Sequence, residues 1–115
     1  MKTAQDPRHQ HRINMMQQLF SYSFHPQDTK AIAAIISHLP AIDALITTCA
    51  PEWPIDKIAK IDLAILRLSI YEITETKETP VKVVIDEAIE LAKSFGNPNS
   101  PKFINGVLGT IIQKV

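Results

Sequence analysis

Lys82 to Ile112, KVVIDEAIELAKSFGNPNSPKFINGVLGTII, is the stretch that decides the fold. Val81, Val84, Ile85, Ala88, Leu91, Ala92 and Phe95 recur at three- and four-residue intervals, the spacing that lines one face of a helix. Gly96 follows where a left-handed C-cap residue is expected, which ends that helix at Phe95. Ser100 then offers an N-cap oxygen, Pro101 suits a first helical turn, and Phe103, Ile104, Val107, Leu108, Ile111 and Ile112 form a second apolar stripe. The stretch reads as a helical hairpin closed by an Asn- and Pro-containing loop.

The rest of the chain continues the pattern. Asp6 and Pro7 are an N-cap and first-turn pair for a helix whose buried side is expected at Ile13, Met16, Phe20 and Phe24. A second helix is expected from Thr29, with Ile32, Ile35, Ile36, Leu39, Ile42, Ile46 and Cys49 in phase. Because that phase survives Pro40, a kinked continuous helix is favoured over two short ones meeting at Leu39. A short helix from Pro54 to about Lys60 leads into Ile61–Ile73, apolar around most of its circumference and so the central, buried helix. No strand pattern is present, and short connections between helices point to an all-α bundle.

With 115 residues, the chain is expected to form one domain, residues 1–115. The formal charge is zero, so any contact with nucleic acid must come from a local patch. A single cysteine cannot form an internal disulfide, and neither a signal peptide nor a membrane-spanning run is evident, so a soluble cytoplasmic protein is expected.

Catalytic and metal chemistry find little support. Asp86 and Glu90 are four residues apart but share the polar face with Lys82 and Lys93, as solvated charges do. His9 and His11 point to different helical faces, His25 and His38 are isolated, and Cys49 sits on an apolar stripe. No enzyme activity, metal or cofactor is expected.

Two elements fit RNA instead. Lys2, Arg8, His9, His11 and Arg12 form a basic start opposed locally by Asp6 alone, suited to phosphate, although a solvated helix start explains them equally well. Lys102, Phe103 and Asn105, after the polar turn Asn97–Ser100, combine charge, an aromatic face and amides able to read base edges. Core packing is the competing explanation for Phe103.

At these residues a resemblance emerges. IDEAIELAKSFGNPNSPKFINGVLG resembles the C-terminal signature of the NusB family of bacterial transcription antitermination factors, IDLAILRLSIYEI its central helix, and RINMMQQLFSY its first. The resemblance implies a compact NusB-type bundle, here with a shortened connection that lacks one helix of longer relatives and any dimerisation surface built on it. It implies a non-catalytic adaptor that takes up boxA-like single-stranded RNA with the ribosomal protein NusE and acts on transcribing RNA polymerase. By the same resemblance, Arg8, His9, Arg12, Asn99, Lys102, Phe103 and Asn105 fall on the RNA surface, and Asp56, Asp62 and their neighbour Lys60 on the NusE surface. Arg67, Tyr71 and Glu72 match the family's LR…YE string, which serves either to tie helices together or, through Tyr71, to meet NusE.

The chain departs from the family where His9, Gln10 and His11 replace a denser arginine cluster, and where Asn99 replaces a residue often acidic. The first change weakens phosphate attraction and the second relieves repulsion. Two rival readings remain: a NusB-like module assisting an RNA cytosine methyltransferase, and a helical protein-interaction module that does not bind RNA.

Overall fold

The computed structural model describes residues 6–27 and 29–115. Its α-helices are α1 (Pro7–Phe24), α2 (Ala33–Ser37), α3 (Leu39–Cys49), α4 (Lys60–Tyr71), α5 (Val81–Phe95) and α6 (Ser100–Lys114). A 3-10 turn, Ile55–Lys57, precedes α4, and a π-helical turn, Glu72–Thr76, extends it. No strand occurs among the described residues.

Helix α4 is the axis of the fold because its sequence leaves it no polar face. Every residue from Asp62 to Ile70 is buried, and α1, α2, α3, α5 and α6 all pack against it. Ile65, Leu66 and Ile70 lose all contact with solvent. Burying each stabilises the fold by roughly 1.5–3 kcal/mol before the entropy of ordering is counted. Two ion pairs brace this axis. Arg67 donates from Nε and Nη2 to the two Asp43 carboxylate oxygens at 3.0 and 2.9 Å, joining α4 to α3. Arg12 on α1 does the same to Glu72 just beyond α4.

Several local expectations are corrected. Helices α2 and α3 are separate and meet at His38, which ends one and precedes the other. Pro40 has no N–H for the Ile36 carbonyl and its ring would collide with it, so the helix restarts instead of bending. Ile35, Ile42 and Ile46 are nonetheless all buried, which explains the continuous apolar phase. Thr29 does not open a helix: a turn fills residues 30–32 and α2 begins at Ala33. The segment after Pro54 is one 3-10 turn rather than a helix to Lys60. On α1 the core side is Met15, Met16 and Leu19, while Phe24 is exposed and meets Phe20 edge-on.

Gly96 ends α5 in an extended conformation (φ −91°, ψ −170°), not a left-handed one. It is needed for space: a Cβ there would lie 2.5 Å from Ser100 Oγ and 2.9 Å from the Ala92 carbonyl oxygen. Ser100 does not cap α6 as an N-cap, a position held by Asn99. Its buried hydroxyl accepts the Asn97 N–H at 3.0 Å, and the Asn97 side chain accepts the Asn99 N–H at 2.8 Å, which closes the interhelical loop. Among the described residues no helix is long and apolar enough to cross a membrane.

Candidate nucleic-acid interface

Helix α1 starts as its sequence dictates. Asp6 accepts the Arg8 N–H at 2.9 Å and Pro7 occupies the first turn. The Arg8 guanidinium folds back on the same carboxylate, which with the backbone bond holds Asp6 below its ordinary 3.8. Arg8 remains at the surface, as does His11.

The other two members of the basic cluster turn inward. Arg12 donates from Nε to Glu72 Oε2 at 2.9 Å and from Nη2 to Oε1 at 2.8 Å, with Thr79 Oγ1 at 3.4 Å. Its Nη1 lies 3.5 Å from Glu87 Oε1, and His9 Nδ1 approaches that same oxygen at 3.1 Å. The hydrogen bond to Glu72 outweighs burial and holds Arg12 more firmly protonated. The sequence cluster is thus split: Arg8 and His11 face solvent, while His9 and Arg12 pin α1 to α5 and the π turn. Lys2 lies outside the described residues.

Glu87 is the residue that sequence reasoning missed. Its side chain is 3% exposed. The signal was present, since position 87 lies three residues from Val84 and four from Leu91 and so falls on the apolar face of α5. A carboxylate on such a face requires cationic partners.

The second element forms around the start of α6. Asn99, Lys102 and Asn105 are exposed, and Phe103 is half-buried with its ring edge-on to Trp53 at 6.0 Å. Trp53, between Pro51 and Pro54, is 50% exposed. Together they wall an open cleft of about 720 Å³ that also reaches Lys57, Asp62 and Asn97. Trp53 was not singled out by sequence, although a lone tryptophan between two prolines in a loop is a signal for an exposed aromatic. Asp62 is only 6% exposed and its Oδ1 has no hydrogen-bond partner among the described residues. Burial pushes its carboxyl up, partly offset by the Ser100 side chain.

The residues assigned to NusE do not form one patch. Asp56 is exposed on the 3-10 turn, Lys60 is half-buried, and no ion pair joins the two among the described residues. Lys60 and Tyr71 stand at opposite ends of α4, roughly 16 Å apart at 1.5 Å per residue. Tyr71 packs edge-on against His38 at 5.7 Å, and His38 in turn meets Glu75 at 3.2 Å. Arg67 ties helices together through Asp43. No group of three or more metal-ligating side chains occurs among the described residues.

Comparison with known proteins agrees with this architecture. A transcription antitermination protein NusB of Chloroflexus aggregans is 46% identical over 79 residues, covering 67% of this chain and 53% of that protein. The chain therefore spans about half the length of the curated relatives it matches. The structure of T. maritima NusB superposes with a TM-score of 0.81 at 33% identity, covering 99% of this chain and 94% of that one. Antitermination factor NusB in a complex with NusE and double-stranded RNA shares the fold (TM-score 0.82, 18% identity, 94% and 97% covered). The NusB family profile matches residues 8–113, nearly the whole helical bundle just described, and the chain belongs to the NusB family.

Proposed function

We propose that this chain is a non-catalytic adaptor of transcription antitermination, which binds boxA-like single-stranded RNA together with NusE and acts on the transcribing RNA polymerase in the cytoplasm. One observation carries the reading: the cleft beside α6, where Phe103 and Trp53 offer aromatic faces between Lys57, Lys102 and the Asn99 amide. Stacking surfaces with flanking cations suit unpaired bases on a phosphate chain and serve no obvious purpose in a core. Family membership and a fold neighbour crystallised with NusE and RNA support the same reading.

Within it, Arg8, His11, Asn99, Lys102, Phe103 and Asn105 meet RNA. His9 and Arg12, already committed to Glu87 and Glu72, hold α1 in position. Asp56 and Lys60 offer NusE a surface at one end of α4, and Tyr71 offers it one at the other. No chemistry is performed: each partner adds contacts to the surface the other meets, so two weak associations support each other.

The test is binding of a labelled boxA-type RNA and a scrambled control, with and without NusE, over a salt series. Preference for boxA that NusE strengthens is the expected result. Binding of NusE without any RNA dependence would move the assignment to a protein-interaction module.

A further inference from the structure

Resting on that reading, we infer that Asp62 is a base-reading residue: the cleft beside α6 holds an unpaired base, and the Asp62 carboxylate selects one carrying an exocyclic amino group.

Three observations converge. The cleft, about 720 Å³, has room for a nucleotide, and its wall includes Trp53, Phe103 and Asp62. Asp62 is more than nine-tenths buried, yet its Oδ1 accepts no hydrogen bond among the described residues. Buried polar atoms are nearly always satisfied, because one left without a partner keeps the full penalty of its lost hydration. The third observation is the setting. Lys57 and Lys102 are exposed on the cleft's lining, placed to meet the phosphates of a chain whose base enters it.

The chemistry of the missing partner follows from the group that lacks one. A carboxylate oxygen only accepts, so it requires a donor. Cytosine and adenine present an amino group on the edge that an inserted base shows to the protein, whereas uracil shows carbonyl oxygen there. Burial raises the Asp62 carboxyl above its ordinary value and the Ser100 side chain offsets this only in part, so a donor arriving from the ligand would complete the compensation. With Asp62 only 6% exposed, a flat protein surface does not reach it, which separates it from the exposed Asp56 as a NusE contact.

The chain carries its own reporter, because Trp53 is its single tryptophan. Homopolymeric C, A and U single-stranded RNAs of equal length would be titrated against the full chain, reading RNA anisotropy and Trp53 emission together. The parent is expected to bind C and A about tenfold more tightly than U, the size of one charge-assisted hydrogen bond, with Trp53 emission changing along the same isotherm. Asp62→Asn should cut that preference several-fold and Asp62→Leu should abolish it, and if the leucine variant does not fold the asparagine variant decides. RNA bound by anisotropy with no response from Trp53, or an unchanged preference in the variants, overturns the inference while RNA binding stands. Absence of binding by all three RNAs overturns the inference, and the boxA titration with NusE then decides the reading on which it rests.

Discussion

Replacing Arg12 by alanine separates a structural cation from the one proposed to meet RNA. Arg12 has 11% of its side chain exposed and its partners Glu72 and Glu87 have 15% and 3%, so the group is largely shielded from water. The substitution removes two hydrogen bonds of 2.9 and 2.8 Å to Glu72 and the 3.5 Å contact with Glu87, whose Oε1 keeps the His9 ring at 3.1 Å. Breaking one side of a buried pair costs about 3–5 kcal/mol, and the residual exposure of Glu72 brings the figure here toward the lower end, ~3 kcal/mol. Against a total stability of roughly 5–15 kcal/mol, that is a fall in Tm of about 10–15 °C for a domain of this size. The assay is thermal unfolding followed by circular dichroism, paired with RNA affinity across a salt series. Arg12→Ala should lower Tm and leave the slope of log K against log salt as it was. Arg8→Ala, at the exposed end of the same helix, should do the reverse, reducing the slope by about 0.7 for one lost phosphate contact. An Arg12→Ala variant that melts with the parent but loses salt dependence would refute the reasoning.

Two further outcomes follow from the α5–α6 loop and the cleft. Gly96→Ala forces Ser100 or the end of α5 to move and should destabilise the fold by about 1–3 kcal/mol in denaturant unfolding, with the double variant Gly96→Ala, Ser100→Gly recovering part of the loss. Asp62 has a raised carboxyl pKa in the folded state, so the folded chain binds its proton more tightly than the unfolded one. Its ionisation therefore costs stability as pH rises from the unfolded value through the folded one. Asp62→Asn should abolish that decline, gaining on the parent above this window and not below it.

Much of the fold was legible before any coordinates. The apolar stripes of α5 and α6 and the all-round hydrophobicity of α4 are periodic properties of neighbouring residues, and helical geometry converts them directly into faces. Asp6 and Pro7 set the start of α1 for the same local reason. Where local rules misled, a distant or steric partner decided. Pro40 broke a helix whose apolar phase ran through it, and Gly96 was selected by the approach of Ser100 rather than by its own dihedral angles.

The candidate interface divides along the same line. The residue types at Arg8, Lys102, Phe103 and Asn105 already mark a surface able to meet phosphate and bases, because charge and aromaticity belong to each side chain alone. Whether a cation is available to a ligand does not. His9 and Arg12 look like neighbours of Arg8 along the chain, yet Glu72 and Glu87 reach them from elements far away in sequence. The role proposed for Trp53 depends on folding bringing Phe103 beside it, and that proposed for Asp62 on a buried carboxylate on the cleft's lining whose Oδ1 has no hydrogen-bond partner among the described residues. Periodicity and composition, which are local, determined the helices and the chemical vocabulary of this protein. Pairing and desolvation depend on which groups come within a few ångströms across the fold, so the tertiary structure alone decided which of those groups are engaged internally and which remain open to solvent.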